Sequence, residues 1–272
     1  KNTAQAEKYR AKPLTSQQTQ TTMNTEANRK TEWVVGIGEA LWDILPEGRK
    51  IGGDPANFAY HMSQFGLHSC AVSAVGDDEA GRELRNQLRE KRVGHMLETV
   101  EVTLDGAGIP SYEIRQGVAW DNIPFTPQIE ELARHTRAAC FGSLAQRSPV
   151  SHRTIGRFLE TMPDGEGQYK VFDINLRQHF YSSEVVHDSL CRSNILKTND
   201  EELTVVSRMF GIQAQCRDLL EKYGLRTVIL TCGAVGSHVF TPDGMSYVAT
   251  PHVEVADGVG AGDSFTAQIR KE

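Results

Sequence analysis

The 272 residues contain no Cys-x-x-Cys pair, no His-Glu-x-x-His and no Gly-x-x-x-x-Gly-Lys-Ser/Thr. The five cysteines (Cys70, Cys140, Cys191, Cys216 and Cys232) are odd in number and widely spread, which fits reduced cytosolic thiols rather than a disulfide framework or a zinc site. The second absence withdraws support from metal-hydrolase chemistry, and the third excludes a P-loop nucleotide site. No apolar run approaches membrane-spanning length, and no signal-peptide core is present. Lys and Arg form no cluster and the net charge is −6, so neither nucleic acid nor an acidic membrane surface is an expected partner. Residues 1–30 have almost no large apolar side chains. That stretch is expected to be a disordered tail, with Met23 read as a natural start preceded by vector sequence.

What is present is globular: 39% hydrophobic and 24% charged residues, ample for one large α/β domain or two ordinary ones. Trp33-Val-Val-Gly-Ile-Gly38 reads as a buried first strand. Asp43 follows it, near the place where open α/β sheets bind ligands. Ile51-Gly-Gly-Asp-Pro-Ala-Asn57 is a tight helix entry, with Phe58, Met62 and Phe65 at helical spacing behind it. There Asn57 serves either as a polyol ligand or as a local cap.

Cys70–Val75 reads as a second strand, followed by a helix on the Ala80, Leu84, Leu88 stripe. Thr99–Leu104 and Ser111–Arg115 read as two strands joined by Asp105-Gly-Ala-Gly108, a β-rich interruption suited to a small subdomain or lid. The rhythm resumes with a helix over Pro127–His135, a strand over Ala138–Phe141, a helix over Val150–Thr161 and a strand over Tyr169–Ile174. A short strand, Asn194–Lys197, follows, and Thr227–Thr231 is the clearest strand by composition. Strands alternating with helices imply a mostly parallel sheet covered on both faces. Polar groups follow the strand ends: Asp173-Ile-Asn175-Leu-Arg177 after one strand, Asn199-x-x-Glu202 on one face of a starting helix after another, and Cys232-Gly233-Ala-Val-Gly236 after Thr231. As an isolated feature, Asn199-x-x-Glu202 is read as a plain helix N-terminus.

The stretch Asp257-Gly-Val-Gly-Ala-Gly-Asp263-Ser-Phe-Thr-Ala267 packs three glycines and two acids into a turn that enters a helical pattern. Glycines let a ligand approach the backbone, and the unpaired N–H groups at a helix start attract an anion. A carboxylate beside a bound phosphate suits a general base. Taken alone, Asp263 is better read as a cap after a glycine turn.

Gly52-Gly53-x-x-x-Asn57, Asn199-x-x-Glu202 and Gly260-Ala261-Gly262-Asp263, in that order, together resemble the PfkB or ribokinase-like family of carbohydrate kinases, from about residue 33 to the end. The resemblance implies a ribokinase-like three-layer α/β/α fold with a small β lid, the domain running over 31–272 and the lid strands lying within about 42–52 and 98–117. It also implies ATP and Mg2+ as cofactors and transfer of the γ-phosphoryl group to a sugar hydroxyl. Asp263 would be the base, with the Gly260, Ala261 and Gly262 amides as the anion hole. Asn199 and Glu202 would organise the magnesium and phosphates, Glu202 indirectly, while Thr231, Gly233 and Gly236 line the nucleotide site. Asp43, Gly53 and Asn57 fall on sugar-binding positions, Arg177 in a loop near the sugar or phosphates, and Asp257 in a loop that holds a monovalent cation, K+, in many members.

Two departures are visible. Gly258 stands where the family usually has Thr, a change expected to loosen the turn. Relatives also continue past the position of Glu272 with helices over the adenine, so part of the nucleotide site is expected to lie outside this sequence. Within the family, Glu39-Ala-Leu-Trp-Asp43 and the Gly-Gly-Asp-Pro-Ala-Asn57 run are most similar to fructokinases. A 2-keto-3-deoxygluconate kinase, a kinase of another hexose, or a non-catalytic sugar-binding regulator on the same fold are the rivals. A dinucleotide-binding oxidoreductase is disfavoured because no Gly-x-Gly-x-x-Gly follows the first strand. A cytoplasmic location and lid-mediated homodimers complete the expectations.

Overall fold

The computed structural model describes residues 32–45, 48–100, 114–213, 215–250 and 266. Its centre is a nine-stranded sheet in the order β11-β10-β9-β8-β7-β6-β1-β4-β5. The strands are β1 (Trp33–Ile37), β4 (Ser69–Gly76), β5 (Gly94–Val100), β6 (Thr136–Phe141), β7 (Tyr169–Asp173), β8 (Ile195–Asn199), β9 (Thr227–Thr231), β10 (Gly236–Thr241) and β11 (Gly244–Ala249). From β5 to β9 every pairing is parallel; β10 and β11 close one edge as an antiparallel hairpin.

Parallel strands need covered crossovers, and the sequence supplies them as amphipathic helices on both faces. Alternating residues of each strand face opposite sides. Val35, Phe141, Phe172, Leu196 and Val228 pack toward α3 (Pro127–Arg134), α4 (Pro149–Thr161), α5 (Ser183–Arg192), α6 (Asp200–Phe210) and α7 (Cys216–Tyr223). Their neighbours Val34, Ala71, Val75, Cys140 and Val171 lie with α1 (Asp54–Gln64) and α2 (Glu79–Glu90). The first layer contact is close enough to require glycine: a Cβ on Gly36 of β1 would sit 1.8 Å from the Pro55 carbonyl oxygen of α1. Among the described residues, no helix is long and apolar enough to cross a membrane.

A second, two-stranded sheet is the antiparallel hairpin β2 (Leu41–Leu45) and β3 (Gly48–Gly52), in which Asp43 pairs with Lys50. It leans on α2, where Trp42 Nε1 donates to the Ala80 carbonyl at 3.2 Å and Arg49 pairs with Glu83. It occupies the 42–52 stretch in which lid strands are expected.

Most of the 98–117 part, residues 101–113, lies outside the described residues. Thr99 and Val100 are the last residues of β5, parallel to β4 at the edge of the main sheet, and Ile114 and Arg115 are not in a strand. β5 begins at Gly94, after Arg92 turns the chain at φ 58°. As an edge strand with His95, Glu98 and Thr99 among its residues, it lacks the continuous apolar run by which a central strand is read. The 1–30 tail also lies outside the described residues.

Candidate active site

Of the described residues singled out by the sequence, Asn199, Thr231 and Arg177 lie at or just beyond the C-terminal ends of parallel strands, where an open α/β sheet offers its ligand crevice, Gly53 and Asn57 at the start of α1, and Asp43 in β2. Register does much of the assembly. Asn199 at the end of β8 lies opposite Thr231 at the end of β9, and the Thr231 hydroxyl donates to the Thr198 carbonyl at 3.4 Å. Beyond Thr231 the chain turns through Gly233 (φ 52°) and Gly236 (φ 153°), with Cys232 N–H donating to the Gly236 carbonyl at 2.8 Å. These backbone angles favour glycine, and the turn leaves Gly233 exposed beside the strand ends.

Asn199 and Glu202 form a reciprocal cap on α6. Glu202 N–H donates to Asn199 Oδ1 at 2.8 Å, and Asn199 N–H donates to Glu202 Oε2 at 2.9 Å. The plain helix start and the Asn199–Glu202 pair are therefore one structure. The other oxygen, Glu202 Oε1, accepts from Leu176 N–H at 3.1 Å, which ties α6 to the loop after β7. Ser143 Oγ holds the same loop by donating to the Asn175 carbonyl at 3.3 Å. Asn175 (φ 35°) and Gln178 (φ 49°) both take left-handed backbone angles there, a strain of about 1–3 kcal/mol per residue that surrounding bonds must hold. Arg177 sits between them with its side chain exposed.

Gly53 caps α1 at φ 98°, where a Cβ would lie 2.4 Å from the Glu39 carbonyl oxygen. Asn57 N–H donates to the Gly53 carbonyl at 3.0 Å, so Asn57 occupies the first turn as expected. Asp43 packs over Gly52: a Cβ on that glycine would stand 2.2 Å from Asp43 Oδ2. Gly260, Ala261, Gly262, Asp263 and Asp257 lie outside the described residues.

Sequence reading assigned no role to Lys197, and it placed Asp173 at a strand end without a partner. β7 and β8 set the two opposite each other, and Lys197 Nζ donates to both Asp173 oxygens at 2.8 Å. Thr266 Oγ1 donates to Asp173 Oδ2, also at 2.8 Å. All three residues are buried. Burial alone would lower the Lys197 pKa, but the Asp173 carboxylate, helped by Glu202 and Asp54, raises it overall. Asp54 opens α1, so the charge on Lys197 links the Gly-Gly-Asp-Pro-Ala-Asn stretch to the Asn199–Glu202 cap. The signal available in the sequence was a carboxylate and an ammonium at the ends of two short apolar strands, one βαβ crossover apart.

Burial pushes the Glu202 pKa up, with Asp173 adding to the shift; the Asn199 and Leu176 amides and Lys197 oppose it. A raised folded-state value means that folding binds a proton at this group. Its contribution to stability is complete below the ordinary value of 4.5 and is lost as pH rises through the raised value. Denaturant titrations across that window should show this loss in the wild type, and Glu202→Gln should remove it. An identical pH dependence in both proteins would contradict the assignment.

No group of three or more His, Cys, Asp or Glu among the described residues could hold a metal ion by itself. All five cysteines are free, and burial pushes the Cys70 and Cys216 thiols up to about 12. The pattern of the pfkB family carbohydrate kinases matches residues 39–103 and 150–269. The chain belongs to this family.

Among relatives in the pfkB family, a fructokinase of Salmonella typhimurium is 26% identical over 257 residues, covering 87% of this chain and 82% of the relative. An aminoimidazole riboside kinase of the same organism is 27% identical over 258 residues, covering 87% and 79%. A solved double mutant of the Vibrio cholerae O395 fructokinase, with fructose, ADP and potassium bound, superposes with a TM-score of 0.69 at 24% identity, covering 87% of this chain and 82% of that one. At that identity the superposition establishes the shared ribokinase-like fold.

Proposed function

We propose that this pfkB kinase transfers the γ-phosphoryl group of ATP to a hydroxyl of fructose or a closely related sugar. The observation that carries the proposal is the gathering, at the C-terminal ends of the parallel strands, of the Asn199–Glu202 cap and Thr231 with its glycine turn, with Asp54 at the start of α1 near enough to act on the Lys197 charge. These are the three places such a reaction needs: one for the phosphates, one for the nucleotide, one for the acceptor.

Phosphoryl transfer asks the protein mainly for position and charge stabilisation. Asp43, Gly53 and Asn57 bind the acceptor, and the β2–β3 hairpin acts as a lid that keeps water from taking its place. Asp263 accepts the proton of the attacking hydroxyl. The amides of Gly260, Ala261 and Gly262 receive the negative charge of the transferring group, and Arg177 adds a cation from the strained loop. Thr231, Gly233 and Gly236 line the nucleotide. Asn199 and Glu202 would hold magnesium and the phosphates in place, and magnesium would neutralise phosphate charge. Asp257 belongs to a loop for a monovalent cation, a role supported by the potassium in the Vibrio fructokinase.

The aminoimidazole riboside kinase is about as similar as the fructokinase, so a riboside is the second acceptor to weigh. A coupled ADP-release assay with Mg-ATP tests both, using fructose, ribose, glucose, 2-keto-3-deoxygluconate and aminoimidazole riboside. The highest kcat/KM is expected with fructose. A preference for another acceptor overturns the fructose assignment, and sugar binding without ADP release from any acceptor overturns the kinase reading in favour of a non-catalytic binder.

A further inference from the structure

The Asp173–Lys197 pair has no part in the roles above, yet it is buried at the centre of the site. A buried ion pair is weak evidence for stability, because desolvation offsets much of the attraction, and a structural role in fixing geometry is its better-attested use. Here the geometry is specific. The Lys197 ammonium donates to both carboxylate oxygens, which orients the carboxylate and leaves Oδ2 able to accept a further bond. The donor that takes it is Thr266, a helical residue distant in sequence.

Thr266 comes three residues after Asp263 in the sequence. Three residues of chain span at most about 11 Å, so a tether at Thr266 limits where Asp263 can stand. We propose that Asp173, oriented by Lys197, and Thr266 are positioning residues for Asp263, acting through the hydrogen bond that fixes Thr266 to the end of β7. The inference rests on Asp263 being the base of the proposed reaction. A threonine hydroxyl has one donor, so the bond sets a direction as well as a distance. Such precision matters because a displacement of about 1 Å at a reacting group can cost on the order of 100-fold in rate.

Thr266→Val keeps the shape of the side chain and removes the donor; Thr266→Ser keeps the donor. The valine variant is expected to lose about 10- to 100-fold in kcat, with the KM for the sugar within about twofold of wild type. The serine variant should recover most of the lost kcat. A second readout does not depend on turnover: hydrogen exchange of the 257–265 amides should quicken in Thr266→Val and not in Thr266→Ser, with β7 and β8 unchanged. Wild-type kcat in the valine variant, equal losses in both variants, or unchanged exchange would each overturn the proposal. If the wild type releases no ADP with any acceptor, the kinase reading fails, and the exchange comparison alone decides for or against the tether.

Discussion

Asp263→Asn is expected to abolish turnover while leaving sugar affinity intact. Asparagine matches aspartate in size and can still accept and donate hydrogen bonds, but it cannot take the proton of an attacking hydroxyl. General-base catalysis typically contributes about 10²–10⁴ in rate, and a loss in that range should fall on kcat rather than on binding. ADP release gives kcat, and calorimetry with the sugar gives Kd. A variant that keeps a substantial fraction of wild-type kcat would remove Asp263 from the role, whatever its binding constant. A Kd weakened in step with kcat would instead place Asp263 among the acceptor-binding groups.

The second large effect is on stability. Asp173→Leu would leave the Lys197 ammonium buried without its counter-charge and the Thr266 hydroxyl without its acceptor. Removing one partner of a buried pair typically costs about 3–5 kcal/mol, a fall in Tm on the order of 10 °C for a chain of this size. Replacing both charges, as Asp173→Leu with Lys197→Met, should recover much of that loss, since desolvation then disappears along with the attraction. Thermal unfolding of the two single variants and the double variant measures the coupling. A single variant within about 1 kcal/mol of wild type would show that Lys197 finds another partner, with Glu202 the nearest by charge. Stability and catalysis separate here, because the double variant restores the first and not the Thr266 tether.

The parts of this protein that could be read from its sequence are those whose signal is local. Thr227–Thr231 is a strand in composition and in fact, and the Pro127 and Pro149 helices begin where proline favours a first turn. Asn199-x-x-Glu202 announced both a helix start and a pair of polar groups at a strand end, and the reciprocal cap is both. Edge strand β5 was harder, because His95, Glu98 and Thr99 break its apolar run and it has one neighbour in place of two. Helix α5 also went unread. Its apolar stripe is short, with Val186 and Leu190 its large buried side chains.

Nothing local marks the Asp173–Lys197–Thr266 cluster. Its members are 24 and 93 residues apart in the chain, and only the register of β7 on β8 brings the first two face to face. Lys197 lies in a strand where a lysine would ordinarily be taken for a solvent-facing residue, and Asp173 ends an apolar run as many turn residues do. The fold was legible through periodicity. The Asp173–Lys197–Thr266 network required the topology.

The claim that most needs a direct measurement is that phosphate passes to a sugar and not to water. 31P NMR of the protein with Mg-ATP and fructose would follow every phosphorus atom at once. One phosphomonoester signal per ADP with no inorganic phosphate, and ATP left unconsumed when fructose is omitted, is the predicted result. Inorganic phosphate appearing in step with ADP, or ATP left intact beside bound fructose, would contradict it.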